Sequence, residues 1–155
     1  MPEKVNPIRE GCPSVTPCLI IKGAAKAMEF YKEVFDAQEV MRLPGPDGSV
    51  GHAEIGIEGS PMMLADEFAP MGLFSPVALK GTPVHMYLYV VDSDAVFDRA
   101  VKASAKVLTA IADQFYCDRT GTVEDPFGHM WHISSHVKDI SSEEMQKQAE
   151  ALSNS

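Results

Sequence analysis

The same order of predicted secondary structure occurs twice along this chain of 155 residues, and this repeat limits its fold more than any other feature. In the first half, an apolar, β-branched stretch predicts a strand over Val15–Ile21. Apolar residues at helical spacing then predict a helix over Ala24–Phe35. Three further strands are predicted at Ala37–Leu43, Val50–Ile57 and Pro61–Ala65. The order in the first half is therefore β-α-β-β-β.

The second half follows the same order. Val84–Val91 predicts a strand, and Asp92 or Ser93 is a suitable N-cap for a helix over Asp94–Ala103. Three more strands are predicted at Val107–Ile111, Gly121–Glu124 and Met130–Ser134. A polar helix with a capping sequence is predicted over Ser142–Leu152. The repeat thus indicates two tandem modules of an α+β fold.

Composition excludes several classes of function. The net charge of −9 and the pI near 4.9 argue against sequence-independent nucleic-acid binding, because phosphates attract clustered Lys and Arg. No apolar run approaches the length of about 18 residues that a membrane span needs. The N-terminal stretch lacks the apolar core of a signal peptide. We therefore expect a cytoplasmic protein with neither nucleic acid nor membrane as a partner. Its three cysteines form no Cys-x-x-Cys pair, and we expect free thiols.

Two predicted strands of the second half carry histidines. A Pro-x-Gly turn at Asp125–Gly128 leads into the last strand, where alternation places Met130, His132 and Ser134 on one face. His85 lies near the start of the first strand of the second half. Two strand-borne histidines in a small acidic protein suggest a cavity that could hold a metal ion.

A polar segment in the second half is the other chemically distinct cluster. Gln114, Tyr116 and Arg119 supply an amide, a phenol and a guanidinium, which can hold a small polar molecule by directed hydrogen bonds. Arg119 could clamp a carboxylate or phosphonate of such a molecule. It could instead form an ion pair with Asp118 or Asp125 that holds the segment in place. The residues leave both interpretations open.

Three segments carry a resemblance to a known family. They are VTPCLIIKGAAKAMEFYKEVF (15–35), LPGPDGSVGHAEIGIEGSPMMLADE (43–67) and DQFYCDRTGTVEDPFGHMWHISSH (113–136). The chain resembles the vicinal-oxygen-chelate superfamily, which includes glyoxalase I, extradiol dioxygenases, fosfomycin-resistance enzymes and bleomycin-binding proteins. Within it, the chain is similar to the PhnB-like, glyoxalase-like branch.

The resemblance implies an α+β fold in which two tandem βαβββ modules form curved mixed sheets around a cavity. The modules are expected at about 13–66 and 83–136, joined by a linker at 67–82. A single domain would then span 1–140, followed by a polar C-terminal helix and tail at 141–155. The resemblance also implies a homodimer.

Metal-dependent members of the superfamily place ligands on the first and last strands of each module. Carried over to this chain, those positions are His85 and His132 in the second module, and both are good ligands. In the first module they are Thr16 and a position near Leu64, and neither residue is a good ligand. Two of the four positions are intact.

A catalytic zinc or non-haem iron usually takes three protein ligands, so two histidines alone make a weak site. The missing ligand could come from Glu54 or Asp66, and His52 shares a face with Glu54. The implied cofactor is a divalent metal, with zinc, iron, manganese and nickel as candidates. A metal-free polar pocket is the alternative.

Three hypotheses of function follow. In the first, a glyoxalase-like or bleomycin-resistance-like protein binds a small polar or aromatic molecule in its cavity, with no reaction assigned. The candidate ligand-binding residues are His52, Gln114, Tyr116, Arg119 and Trp131. In the second, the protein is a metal-dependent lyase, isomerase or dioxygenase with His85 and His132 as ligands and Glu54 as the catalytic base. In the third, the cavity is filled by the protein's own side chains. Whether the chain is an enzyme stays open.

Overall fold

A computed structural model describes residues 3–155, and the chain divides into two compact units. The first unit ends at Lys80 and the second begins at Gly81. Each unit contains an open four-stranded mixed sheet and follows the order β-α-β-β-β. The two tandem βαβββ modules of an α+β fold are therefore confirmed. Across residues 3–155, every helix is too short or too polar to span a bilayer.

The first unit places its four strands in the order β1-β4-β3-β2. Its main elements are β1 (Cys18–Ile21), α1 (Ala24–Phe35), β2 (Gln38–Pro44), β3 (Val50–Ile57) and β4 (Ser60–Asp66). Strand β1 runs parallel to β4, and the other neighbours are antiparallel. A short helix α2 (Pro76–Leu79) follows before the second unit.

Helix α1 buries one face of the first sheet. Its apolar side chains recur at helical spacing and are buried: Ala24, Ala27, Met28, Phe30, Tyr31, Val34 and Phe35. On β3, Ala53 and Ile55 are fully buried, and alternation directs His52 and Glu54 to the opposite face. The helix ends at Phe35, and its C-cap Asp36 has a left-handed φ of 53°, a conformation that Asp adopts at modest cost. The chemistry of the first unit therefore lies on the face away from α1.

The second unit places its strands in the equivalent order, β5-β8-β7-β6. Its elements are β5 (His85–Tyr89), α3 (Ser93–Lys102), β6 (Lys106–Asp113), β7 (Asp118–Glu124), β8 (Met130–His136) and α4 (Ser142–Ser153). Asp92 is the N-cap of α3, and its carboxylate accepts a hydrogen bond of 3.0 Å from the amide of Ala95.

Helix α3 packs against one face of the second sheet. A Cβ atom added at Gly121 on β7 would lie 2.5 Å from a ring carbon of Phe97 on α3, so only glycine allows this close approach. Val123, Trp131 and Ile133 are buried in the second unit, each at 2% exposure or less. Alternation along β7 and β8 then directs their intervening side chains to the face away from α3.

Several strand ends differ from those predicted. Strand β1 begins at Cys18, since the preceding Pro17 has no amide hydrogen to donate. Strand β7 begins at Asp118, three residues before the predicted start, and β8 continues to His136. Both strands are longer than predicted because their antiparallel pairing continues as far as Asp118 and His136, which lie opposite each other.

Candidate functional site

Strand pairing gives each sheet a comparable row of residues on the face away from its helix. In each sheet, a first-strand residue pairs with a last-strand residue, which in turn pairs with a glutamate on the third strand. The rows are Cys18, Met63 and Glu54 in the first sheet and His85, Met130 and Glu124 in the second. Two residues further along, Ile20 lies opposite Ala65 and Tyr87 lies opposite His132.

The first-module positions that the resemblance implies contain no histidine. They are Thr16 and a position near Leu64, which we expected as counterparts of His85 and His132. Thr16 precedes β1, and Leu64 is fully buried on the α1 side of the sheet. The first module therefore has no equivalent of the histidine pair at these positions.

His85 and His132 are in direct contact in the second sheet. Nδ1 of His85 lies 2.9 Å from Nε2 of His132, and Oγ1 of Thr122 lies 2.8 Å from Nδ1 of His132. The ring of Tyr87 stacks on His132 with 4.1 Å between centroids. Both nitrogens of His132 are thus engaged, and its ring is held on two sides. Burial, followed by the nearby His85, lowers the pKa of His132 and favours the neutral imidazole.

With both rings neutral, two proton arrangements satisfy these hydrogen bonds. If Thr122 donates to Nδ1 of His132, then Nε2 of His132 donates to Nδ1 of His85, and Nε2 of His85 carries a proton. If Thr122 accepts from Nδ1 of His132, then Nδ1 of His85 donates, and Nε2 of His85 becomes an acceptor. His85 is an exposed residue. Its Nε2 can therefore offer either a donor or an acceptor to a ligand.

The histidine pair does not fit a metal centre on its own. Its Nδ1 and Nε2 atoms are hydrogen-bonded to each other, so they cannot both point at one ion in this arrangement. Across residues 3–155, His, Cys, Asp and Glu side chains form no group of three or more that could hold an ion. Catalytic zinc sites use three protein ligands, and the described donor set falls short of that number.

Asp66, one candidate for the missing ligand, binds backbone instead. Its Oδ1 accepts hydrogen bonds from the amides of Gly23 at 3.0 Å and Ala24 at 2.8 Å. Its Oδ2 accepts a third from the amide of Val50 at 2.7 Å. The carboxylate therefore caps the start of α1 and ties that helix to β3.

Glu54 is held in an ion pair on the open face of the first sheet. Nη2 of Arg9 donates to both carboxylate oxygens at 3.0 Å, and Nε2 of His52 lies 3.2 Å from Oε1. His52 and then Arg9 lower the pKa of Glu54. A lowered pKa makes the carboxylate a weaker base, so this arrangement suits recognition of a cation better than proton abstraction.

Arg119 pairs with carboxylates other than those expected. Its Nε and Nη2 donate to the two oxygens of Asp94 at 2.6 and 2.8 Å, and its Nη1 donates to Asp113 at 3.2 Å. We expected Asp118 or Asp125 as partner. Asp118 is the neighbour of Arg119 on β7, so alternation directs it to the other face. Asp125 lies in the turn before β8 and accepts hydrogen bonds from that turn.

The remaining predicted ligand-binding residues lie in two places. Trp131 is 2% exposed, and its indole N–H donates to Oδ2 of Asp125 at 2.9 Å, so it belongs to the core of the second unit. Gln114 and Tyr116 lie in the turn between β6 and β7, where Nε2 of the Gln114 side chain donates to the carbonyl of Ala112 at 3.3 Å.

A second polar cluster on this sheet was not recognised from the sequence. Tyr89 donates to Oδ2 of the buried Asp118 at 2.7 Å, which is the main cause of raising the pKa of Tyr89 to about 12. His136 lies 2.7 Å from the other oxygen of Asp118 and 2.9 Å from Asp139, and these two carboxylates raise its pKa. The period-two pattern of His132, Ser134 and His136 was a signal for its place on this face.

The two clusters share one surface, which we call the polar face of the second sheet. It is the face away from α3, and its side chains are imidazoles, phenols, hydroxyls, two carboxylates and one thioether. These residues are His85, Tyr87, Tyr89, Asp118, Thr120, Thr122, Glu124, Met130, His132, Ser134 and His136. Thr120 and Ser134 share a hydrogen bond of 3.0 Å between their hydroxyls.

Comparison with known proteins gives one family. The model of the Glyoxalase/Bleomycin resistance protein/Dioxygenase superfamily matches residues 14–133. An uncharacterised protein of Mycobacterium bovis is 44% identical over 137 residues, which cover 86% of this chain and 90% of the relative.

Solved structures share the fold. A putative 3-demethylubiquinone-9 3-methyltransferase, the PhnB protein of Bacillus cereus, has a TM-score of 0.64 and 21% identity, and the match covers 79% of this chain and 99% of that one. The fosfomycin resistance protein FosX of Listeria monocytogenes, complexed with Mn(II) and sulfate, has a TM-score of 0.61 and 16% identity. That match covers 88% of this chain and 97% of FosX.

Proposed function

Because this chain belongs to the Glyoxalase/Bleomycin resistance protein/Dioxygenase superfamily, we propose that it binds a small polar or aromatic molecule on the polar face of the second sheet. The observation that carries the proposal is the histidine pair. Thr122 and Tyr87 hold His132, and His132 orients His85 so that its Nε2 offers a donor or an acceptor. Such an adjustable group suits a ligand with hydroxyl or carbonyl oxygens.

The neighbouring phenols support an aromatic component in the ligand. Tyr87 and Tyr89 lie on the same face of β5 as His85 and are each more than half exposed, at 59% and 52%. Exposed aromatic rings beside hydrogen-bonding groups bind flat molecules through both apolar contact and directed bonds. Gln114 and Tyr116 complete the proposed ligand contacts. Arg119 and Trp131 are proposed to position the surrounding strands, through Asp94 and Asp125 respectively.

We also propose that the two modules act as one domain and that the protein is a cytoplasmic homodimer. These proposals rest on the family, in which modules and chains commonly pair. Light scattering during size-exclusion chromatography tests the dimer, and a mass of one chain at micromolar concentration would contradict it.

A thermal-shift screen tests ligand binding, because a molecule that binds the native state raises its melting temperature. Suitable probes are methylglyoxal–glutathione adducts, phosphonates and glycopeptide drugs. For any molecule that stabilises the wild type, His85→Gln and Thr122→Val should each weaken binding by about tenfold, the value of one hydrogen bond. Lys147→Ala on α4 is the control and should bind normally. Equal binding by all four proteins would exclude the polar face as the site.

Elemental analysis distinguishes this proposal from a metal-dependent lyase, isomerase or dioxygenase. The protein should be purified without a metal-affinity tag and compared with His85→Ala and His132→Ala. We expect no stoichiometric zinc, iron, manganese or nickel in the wild type, because the described donor set falls short of three ligands. A stoichiometric metal that both variants lose would favour the metal-dependent enzyme.

A further inference from the structure

The N-terminal arm, residues 3–17, contains Arg9, whose guanidinium lies against the face of the first sheet that is opposite α1. It has no regular secondary structure, and a turn at Arg9 is closed by a hydrogen bond of 3.1 Å from the amide of Cys12. Nε of Arg9 also lies 3.1 Å from the sulfur of Cys12. From this turn, Nη2 of Arg9 reaches both oxygens of Glu54 on β3.

Glu54 depends on this arm for its positive partner. Its side chain is only 11% exposed, whereas that of Arg9 is 56% exposed. The cross-strand neighbours of Glu54 are Met41 on β2 and Met63 on β4, and both are apolar. On β3 itself, His52 contacts the carboxylate at 3.2 Å. A nearly buried carboxylate requires a charged partner, and here the cation comes from outside the sheet.

We propose that Glu54 and His52 form a binding site for the guanidinium or amidinium group of an external molecule, and that Arg9 is its displaceable internal occupant. Both oxygens of Glu54 already accept hydrogen bonds from one guanidinium nitrogen, Nη2 of Arg9, so the carboxylate is accessible to such a group. The arm is attached to β4 at its end, where the carbonyl of Pro17 accepts a hydrogen bond of 2.9 Å from the amide of Met63. The turn at Arg9 is irregular and its side chain is half-exposed, so Arg9 can leave Glu54 while that attachment stays in place. This site is independent of the function proposed for the second sheet.

If Arg9 occupies the site, it competes with an external ligand for Glu54, and this competition can be measured. A group tethered through a short flexible segment competes at an effective concentration in the millimolar range. An external ligand binds only the fraction of molecules in which Arg9 has left Glu54, so its apparent affinity falls by that fraction. Removing the Arg9 side chain should therefore tighten binding by about tenfold.

The probe is benzamidine, with benzamide as its neutral counterpart, followed by nuclear magnetic resonance of the backbone amides of β3. Four full-length proteins are compared: wild type, Arg9→Ala, Lys4→Ala and Arg9→Ala with Glu54→Gln. Lys4→Ala is the matched control, since it removes one exposed positive charge from the same arm. We expect Arg9→Ala to bind benzamidine about tenfold more tightly than the wild type and Lys4→Ala. The double variant and the benzamide titration should show no binding.

Two results would overturn the proposal. Equal affinity of the wild type and Arg9→Ala for benzamidine would show that Arg9 does not occupy the site. Equal affinity of Arg9→Ala and the double variant would show that benzamidine binds elsewhere. The dispersion of the amide spectrum checks that each variant is folded. As a second measurement, benzamidine should raise the melting temperature of Arg9→Ala more than that of the wild type.

Discussion

Substitution of Asp66 provides the sharpest test of how the first unit is held together. Helix α1 begins after Gly23, which has no side chain to cap it, and the first turn of the helix contains no acidic residue. Asp66 at the end of β4 supplies the missing cap, through the amides of Gly23 and Ala24. The same carboxylate also accepts from Val50 at the start of β3. One side chain thus joins α1, β3 and β4.

The cost of removing it follows from these three bonds. Loss of an N-cap costs about 0.5–2 kcal/mol, and a hydrogen bond to a charged group contributes about 1.5–3 kcal/mol. Asp66→Ala removes the cap and the bond to Val50, so we expect a loss of about 3 kcal/mol in the free energy of unfolding. Asp66→Asn keeps an oxygen for the helix but directs an NH₂ group at the amide of Val50. For this variant we expect a loss of about 1.5 kcal/mol.

Urea denaturation followed by circular dichroism measures these losses. A control is Glu33→Ala, which removes an exposed carboxylate from α1 itself and should change stability by less than about 0.5 kcal/mol. In a thermal scan, Asp66→Ala should melt about 6–12 °C below the wild type. If Asp66→Ala is as stable as Glu33→Ala, the carboxylate does not join these elements, and Asp66 becomes available again as a ligand.

Two further predictions concern the second unit. Asp118 and then Asp139 raise the pKa of His136, so its protonated form stabilises the fold fully below about pH 6.5, and this contribution is lost as the pH rises through the folded-state pKa. The difference in urea midpoint between wild type and His136→Gln should therefore shrink from about pH 6 to 9, and a constant difference would contradict this. Trp131→Phe removes the indole bond to Asp125 and leaves core volume unfilled, so it should cost about 2–4 kcal/mol in urea unfolding; a loss below about 1 kcal/mol would refute the structural role.

Local patterns predicted the elements of this fold better than their ends. The bounds of α1 and β3 agree with the prediction, because strong apolar periodicity continues to their last residues. The start of β7 was wrong, since Gly121 resembles a strand breaker when only the sequence is considered. Its actual role is to admit Phe97 of α3, a contact between residues 24 positions apart. The end of a strand such as β7 depends on its pairing with neighbouring strands, which the local sequence does not predict.

The contacts of the candidate site likewise include some that local sequence predicts and some that it does not. Alternation within β7 was sufficient to separate Arg119 from Asp118, so that error was avoidable. Asp94 could be identified as the partner only after α3 had been placed over the face that carries Arg119. The contact of Arg9 with Glu54 spans 45 positions and begins in an irregular segment, so neither periodicity nor a motif predicts it.

The two modules share one strand order but differ in their polar side chains. In each sheet a glutamate lies in register with a methionine, Glu54 with Met63 and Glu124 with Met130. In the first sheet, Arg9 forms an ion pair with this glutamate. The first sheet presents a carboxylate that already binds a cation, whereas the second presents mainly imidazole, phenol and hydroxyl groups beside the carboxylates of Asp118 and Glu124. Because the chain carries a net charge of −9, its field attracts cations, which favours the carboxylate of the first sheet as the site for a charged group. The imidazoles and phenols of the second sheet are suited to hydrogen bonds with an uncharged one.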